Sequence, residues 1–409
     1  MAGFEVLERR GFVSQCSNTE ELRKLFDNER VTFYIGFDPT GKSLHVGHLV
    51  QLFAMAHLQK AGHRPIVLIG GGTARIGDPS GKTEMRKILP IETIKENGER
   101  FRKQISHFIS FEDDRGIMDD NANWLADLNY IDFLREIGKH FSVNRMLSFE
   151  TYKMRLERGL SFIEFNYQIL QAYDYLVLYR KYGCKLQMGG DDQWGNIVAG
   201  IDLIRRIEGV EVFALTSPLV TRSDGKKMGK TEKGALFLDP EMTKPYDFYQ
   251  YWINVPDADV KKLLYLFTFL PEDEVEKLGN LKDREINRAK EVLAYELTKV
   301  IHGEEEAKKA RDASKAVFGK AGGASLDAIP SKEMSLAEFE NGVGVVDLFA
   351  STSLCSSKSD ARRLITQGGA YINDENIRDI EAVIGKEKIR DNQLLLRAGK
   401  KRYFRIVIK

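Results

Sequence analysis

His45 and His48 stand three residues apart in "DPTGKSLHVGHL" (38–49), the spacing that puts two side chains on one helix face. Two imidazoles so placed could hold a metal, work as an acid–base pair, or donate hydrogen bonds to an anion. Two glycine-flanked loops offer further charges. "GGGTARIGDPSGKT" (70–83) presents Asp78 and Lys82 with Arg86 just beyond, and "SDGKKMGKTEKG" (223–234) presents Lys226, Lys227 and Lys230. Lysines on such a loop can close on a phosphate as point charges; a solvated loop has the same composition. The first loop is not a P-loop, because that motif needs glycine at position 76, where Ile76 stands.

Two polar sets sit on otherwise apolar elements. "VTFYIGFDPT" (31–40) reads as a buried strand, so Tyr34, Gly36 and Asp38 share one face. A phenol, an absent side chain and a carboxylate at the strand's carboxyl end could line a ligand; a core tyrosine with a satisfied hydroxyl is the plain alternative. "SFIEFNYQILQAYDYLVLYRKYG" (161–183) reads as a helix apolar nearly all round, yet Tyr167, Gln171 and Asp174 form one polar stripe at i, i+4 and i+7. That stripe is either the solvent face or a row of ligand contacts.

The elements that must position these groups follow from hydrophobic pattern and stop signals. After the strand at 31–40, "SLHVGHLVQLFAMAHLQKAG" reads as a helix capped by Ser43 and stopped at Gly62, and "RPIVLIGGG" (64–72) as a second strand. Strand, helix and strand make a βαβ unit and hence a parallel sheet. A helical, charged middle runs to about residue 182. "CKLQMGG" and "VEVFALT" then read as strands around the helix "QWGNIVAGIDLIRRIEG", a second βαβ half. Two halves give a doubly wound sheet that binds ligands at the carboxyl ends of its strands. From Pro245 to about 319 the pattern is helical; "GKAGGASLDAIPSK" (319–332) reads as a linker. A short helix in "SKSDARRLITQGG", capped by Ser359 or a neighbour, and a hairpin at "AYINDENI" open the last domain.

Composition is that of an ordinary globular chain: 409 residues, net charge +1, 43% apolar and 30% charged, enough for two or three domains. No apolar run is long enough for a membrane span, and the first residues resemble neither a secretory signal nor a transit peptide. Cys16, Cys184 and Cys355 are scattered, with no metal spacing or disulfide framework, which fits a reducing cytoplasm. Residues 351–409 hold 13 basic and 7 acidic side chains, a balance of +6 on a slightly acidic body. A polyanion partner for the tail or a merely solvated surface would account for it.

Taken together, His-Val-Gly-His before a first helix and Lys-Met-Gly-Lys-Thr after a last strand resemble the HIGH and KMSKS signatures of class I aminoacyl-tRNA synthetases. "GFDPTGKSLHVGHL", "IGDPSGK", "QILQAYD", "GGDDQWGN" and "KKMGKT" resemble those of the bacterial-type tyrosyl-tRNA synthetase family, over nearly the whole length. The tail is similar to a small RNA-binding domain shared with a ribosomal protein. The resemblance implies an α/β fold: a Rossmann-like doubly wound catalytic domain, then an α-helical anticodon-binding domain and a small α+β RNA-binding domain. The boundaries it implies are 1–222, with a helical dimerisation insertion at about 115–160; a signature loop and connector at 223–244; helices at 245–320; a linker at 321–342; and a basic domain at 343–409.

It further implies that L-tyrosine and MgATP give tyrosyl-adenylate and pyrophosphate, and that tyrosine then passes to the 3′ end of its tRNA. Tyr34 and Asp174 would bond the substrate phenol, with Gly36 giving it room; Asp78, Tyr167 and Gln171 would surround the ammonium and Gln193 the carboxylate. Thr40, His45, His48, Lys82, Arg86, Lys227, Lys230 and Thr231 would act on the phosphates, and Asp38, Gly47, His48, Gly190, Asp192 and Lys230 would bind ATP. Arg362 and Arg363 are the candidate tRNA contacts, no structural metal is implied, and the protein would be a cytoplasmic homodimer. Both histidines are expected as neutral donors at the positive end of a helix. Ile35, Gln51, Ala74-Arg75 and Gly229 depart from the usual pattern. A tryptophanyl-type synthetase and a synthetase-derived RNA-binding protein are the alternatives.

Overall fold

The computed structural model describes residues 3–80, 88–157, 159–225, 228–231, 234–318, 329–399 and 402–409. The chain forms two compact units, Met1–Thr243 with Val255–Leu293, and Lys244–Asn254 with Ala294–Lys409.

The first unit is built on β1 (Gln15–Cys16), β2 (Thr32–Phe37), β3 (Arg64–Ile69), β4 (Ile117–Asp120), β5 (Leu186–Gly190) and β6 (Phe213–Ser217), in the order β1-β6-β5-β2-β3-β4. All neighbours are parallel except β1, which runs antiparallel to β6 at the edge. The order reverses between β2 and β5, where a doubly wound sheet binds ligands. From Phe33 on, β2 is buried on both faces apart from Gly36, and β5 is buried throughout to Gly189, as strands covered on either side are. The helix Phe162–Tyr182 starts in a capping box between Ser161 and Glu164 and ends at Gly183, φ +65°. It packs closely on the helix Trp194–Glu208: a side chain at Gly200 would come within 2.9 Å of Tyr175.

Several local expectations are corrected. The charged middle hides a strand, β4, because in Ile-Met-Asp-Asp only Ile117 is β-branched, and apolar and polar residues do not alternate. Ser43 caps no helix; its hydroxyl donates to the Leu44 carbonyl at 2.6 Å and accepts from the Asp239 amide at 3.1 Å. The helix begins later, at Leu49–Lys60, after a 3-10 turn at Val46–His48 capped by His45. Beyond the sheet, β7 (Lys230–Thr231) and β8 (Gly234–Ala235) form a small antiparallel ladder.

In the second unit, β9 (Ser331–Met334), β10 (Val343–Gly344), β11 (Ala370–Ile372), β12 (Glu375–Ile377), β13 (Val383–Ile384), β14 (Gln393–Ala398) and β15 (Arg402–Ile408) include a five-stranded sheet ordered β12-β11-β14-β15-β9. Asn373 and Asp374, both at positive φ, turn β11 into β12, so the expected hairpin is present. The helix Lys358–Thr366 is capped by Ser357, whose side chain accepts from Asp360 N, rather than by Ser359. One sheet face holds Leu394, Leu396 and Ile406 against Phe349 and Ile365. The other sets Tyr403 and Leu395 against Tyr246, Ala313 and Ile329.

The boundaries drawn from sequence therefore shift. Ser331–Met334 lies within the expected linker yet pairs in parallel with β15. The helices expected together at 245–320 divide, Val255–Leu293 going with the first unit. There Arg10, itself buried, donates to the carbonyls of Tyr265, Thr268 and Leu270 at the end of the helix Val260–Phe267.

Before the helix Phe162–Tyr182 lies a fully buried ion pair. Arg155 Nη2 donates to both Glu164 oxygens at 2.9 and 3.0 Å and to the Gly159 carbonyl at 3.1 Å. Burial alone would raise the Glu164 pKa; bonds from Ser161 and Arg155 outweigh it and hold it below the usual carboxylate range. Removing one partner of such a pair strands a buried charge. Arg155→Met should cost about 3–5 kcal/mol in denaturant unfolding; a loss under about 1 kcal/mol would show that the pair does not hold the helix start.

Candidate functional site

The site begins where two strands part. The β2–β5 ladder contains Phe33↔Leu186 and Tyr34↔Gln187 and then ends, whereas β2 stays paired with β3 through Phe37↔Ile69. Past Tyr34 a crevice opens on the β5 side. A side chain at Gly36 would meet nothing within 4 Å. Tyr34 is 1% exposed, and its hydroxyl has no hydrogen-bond partner among the described residues. A buried hydroxyl without a partner is costly, and this one lies beside the buried carboxyl of Asp174. Its pKa is raised well above the ordinary value, by burial first and then by Asp174.

Asp174 supplies the second polar group there. The helix Phe162–Tyr182 turns its polar stripe inward: Tyr167 and Asp174 are buried and Gln171 is half-buried. Asn121 Nδ2 donates to Asp174 Oδ2 at 2.9 Å and Trp124 Nε1 to Oδ1 at 2.7 Å. Burial still dominates and pushes the Asp174 carboxyl up to about 8, although these two bonds oppose it. Sequence reading missed both donors, since they follow the strand that was itself missed.

Around the crevice mouth runs a connected polar network. Tyr167 donates to Asp38 Oδ2 at 2.8 Å, and Thr73 to Asp38 Oδ1 at 2.7 Å. Gln193 Nε2 donates to Asp78 Oδ2 at 2.7 Å, while Asp78 Oδ1 accepts from the Ser80 amide at 2.9 Å. Buried Asn196, also unforeseen, donates to Gln171 Oε1 at 3.1 Å and Gln193 Oε1 at 3.3 Å. Asp192 follows Gly190 at the end of β5. Its side chain reaches solvent, yet the protein crowded around the carboxylate raises its pKa, and Asp78 raises it further. Asp38, Asp78 and Asp192 make the mouth suited to an ammonium and to hydroxyls.

The histidine corner closes the other side. His45 Nδ1 accepts from the Gly47 amide at 3.0 Å, and His48 Nδ1 accepts from the His45 amide at 3.1 Å. The His45 ring, accepting at Nδ1, carries its proton on Nε2, whereas His48 Nδ1 also lies 3.3 Å from the His45 carbonyl and can meet either backbone group. A side chain at Gly47 would strike the His45 ring at 2.7 Å. Burial lowers the His48 pKa to about 3, and His45 adds to the effect. Neutrality was expected of His48, but its main cause is desolvation rather than the helix field. The first turn's amide at Gly47 is also already taken, which leaves the rings as the donors.

The second signature joins this corner through the backbone. Val46 N donates to Leu236 O at 3.0 Å, Leu236 N to Gly229 O at 2.8 Å, and Leu238 N to Leu44 O at 2.9 Å. Gly229 sits at φ +79°, and a Cβ there would lie 2.7 Å from that of Val46. Only glycine fits both demands. Thr40 is half-buried in the loop between β2 and the corner. Lys230 and Thr231 form β7, which follows Gly229 directly. Lys82, Arg86 and Lys227 lie outside the described residues. Arg362 and Arg363 are exposed on a helix of the second unit, Arg363 paired with Asp360 at 2.7 Å. Among the described residues, no group of three or more His, Cys, Asp or Glu is arranged to hold a metal ion.

Asp174 carries a consequence for stability. Its folded pKa is raised to about 8 from 3.8, so between those values the folded state binds the extra proton and stability falls as pH rises. Urea unfolding of the parent and Asp174→Asn at pH 4.5 and 8 checks this. The variant should gain on the parent with rising pH; a constant difference would contradict a buried, proton-holding carboxyl.

Comparison with known proteins agrees with this geometry. Residues 27–319 match the family model for class I tRNA synthetases (W and Y), and residues 324–406 match the tyrosine–tRNA ligase SYY-like C-terminal domain. The tyrosine–tRNA ligase of Caldanaerobacter subterraneus subsp. tengcongensis is 56% identical over 409 residues, all of both chains. That of Treponema denticola is 56% identical over 404 residues, 98% of each. A C-terminally truncated Aspergillus nidulans mitochondrial tyrosyl-tRNA synthetase superposes with a TM-score of 0.69 at 30% identity, covering 76% of this chain and 92% of that one. With both family models matched and its full length shared with these relatives, the chain belongs to the class I tRNA synthetases, in the tyrosine–tRNA ligase family.

Proposed function

We propose that the protein activates L-tyrosine with MgATP to tyrosyl-adenylate and pyrophosphate and transfers the tyrosine to the 3′ end of its tRNA. The observation that carries this is the closed end of the crevice, where an unpartnered buried hydroxyl on Tyr34 and the buried carboxyl of Asp174 lie on the two elements that flank it. A substrate phenol satisfies both. An indole offers no matching hydroxyl, which disfavours a tryptophan substrate. The amino acid's ammonium would meet Asp78, Tyr167 and Gln171, with Gln193 by its carboxylate.

The carboxylate of tyrosine attacks the α-phosphorus of ATP. The new C–O–P bond forms as the bond to the β-phosphate oxygen breaks, and pyrophosphate leaves with that electron pair. The nucleophile is already ionised, so no general base is needed. Rate comes from alignment and from donors aimed at the leaving phosphates. His45 would present its Nε2–H group and His48 a ring that stays neutral across ordinary pH, with Thr40 in the loop before them. Lys82, Arg86, Lys227, Lys230 and Thr231 would supply the remaining phosphate contacts, and Gly190 and Asp192 would meet the nucleotide.

The second unit would bind the tRNA, its basic residues contacting phosphates and making binding salt-sensitive; Arg362 and Arg363 are exposed for this. Large apolar side chains left more than half exposed at Tyr130, Ile131, Val143 and Phe162 support a homodimer through the segment around 115–160. No helix of the described residues is long and apolar enough to cross a membrane, and a cytoplasmic site of action fits the scattered cysteines.

Tyrosine-dependent pyrophosphate–ATP exchange tests the activity. Exchange with tyrosine is expected; exchange with tryptophan alone would assign the sister specificity. His45→Ala and Lys230→Ala should slow activation by about 3 kcal/mol or more with tyrosine affinity nearly unchanged; a collapse of tyrosine affinity would refute their phosphate role. Removing residues 324–409 should keep exchange and weaken tRNA charging. A cut at 343 instead keeps β9 without its partner β15, so the shorter deletion should be the less soluble of the two; loss of exchange on removing 324–409 would contradict this division.

A further inference from the structure

The acidic pair after β5 divides its work. Asp192 belongs to the substrate cleft. Asp191 is bound elsewhere: its Oδ1 accepts from Thr216 Oγ1 at 2.6 Å and from Gln15 Nε2 at 3.4 Å, and its Oδ2 accepts from Ser14 Oγ at 2.8 Å. These donors belong to one ladder. Gln15 of β1 pairs with Thr216 of β6, and the Ser14 amide donates to the Thr216 carbonyl at 2.8 Å. The N-terminal edge strand, the last strand of the sheet and one carboxylate are thus locked together.

That carboxylate opens the 3-10 turn Asp191–Gln193. The same turn carries Asp192 and Gln193, whose amide reaches Asp78 at 2.7 Å. Gly189 and Gly190 before it are the last residues of β5, paired through the main chain with Thr216 and Ser217 of β6, and Gly190 gives the turn no side-chain cap. Where the ladder ends and the turn begins, Asp191 adds a side-chain tether to the same strand, β6, and to the edge strand beyond it. We infer that Asp191 is a positioning residue: through Ser14, Gln15 and Thr216 it fixes where Asp192 and Gln193 meet the nucleotide and the amino acid, and so makes the N-terminal edge strand part of the binding apparatus. It touches no substrate itself.

The inference rests on the activity proposed above, and the test separates the two. If the parent protein shows no tyrosine-dependent exchange, the activity is refuted; with an active parent, the variants address Asp191 alone. In Asp191→Ala the KM for ATP should rise about ten-fold or more, because a misplaced turn weakens binding. The maximal exchange rate should fall by less than about three-fold, the signature of lost binding rather than lost transition-state contact. Asp191→Asn keeps the shape and one acceptor oxygen and should recover part of the KM. Ser14→Ala with Thr216→Val removes two donors without touching the turn and should raise the same KM, which also decides the matter if Asp191→Ala fails to fold. A lower melting temperature with both substrate KM values unchanged would overturn the inference, leaving Asp191 a purely structural anchor. So would an unchanged KM in the double variant.

Discussion

The parting of β2 and β5 just past Tyr34 is the constraint from which the rest of the site follows. A parallel sheet whose strand order reverses at that pair has to open there, and here the ladder stops after Tyr34↔Gln187. Everything that recognises a ligand is hung around the gap. Tyr34 stands at its closed end and Gly36 along its wall. Asp38 and Gly190 terminate the two strands, and the helix Phe162–Tyr182 lays its polar stripe inward. The gap costs the fold an unpartnered buried hydroxyl and a carboxyl that burial pushes up to about 8. In the function proposed here a substrate phenol satisfies them, and an analogue lacking the hydroxyl would leave them stranded.

The histidine corner, proposed above to meet the phosphates, is built on a different principle. Its rings are held by local turns. His45 spends its Nδ1 on the Gly47 amide and His48 holds its Nδ1 against the backbone of His45, so contacts within four residues orient both rings. The lysine signature is brought to the same place by main-chain bonds from Gly229 through Leu236 to Val46. The two signatures therefore share one piece of backbone, and glycine at 229 is demanded both by its positive φ and by the closeness of Val46.

Much of this was legible from residue order. The two βαβ halves, the long helix within 161–183 and the Asn-Asp hairpin are legible from periodicity and turn chemistry, and the resemblance named the residues. The polar stripe could not be assigned from sequence, because a helix apolar on every other side gives no hint of which side meets water; burial of Tyr167 and Asp174 decides it. Asn121 and Trp124 were invisible because β4 reads as part of a charged helical stretch. Ser43 looks like a cap, but His45 caps instead, and no propensity rule ranks histidine first there. Ser331–Met334 is a polar edge strand held by long-range pairing with β15, a contact that local pattern cannot foresee.

The central claim is that the hydroxyl of Tyr34 is kept unpartnered for a substrate phenol. Tyr34→Phe removes that oxygen and nothing else, and should leave folding stability unimpaired because no bond is lost. The decisive measurement is the ratio of kcat/KM for tyrosine over phenylalanine in pyrophosphate exchange, compared between the parent and this variant. Sites that hydrogen-bond a substrate hydroxyl favour it by about 10⁴–10⁵, tyrosine-activating enzymes being the established example of that range. The account predicts a strong preference in the parent and a ratio reduced by about ten-fold or more in the variant. An unchanged ratio would contradict it.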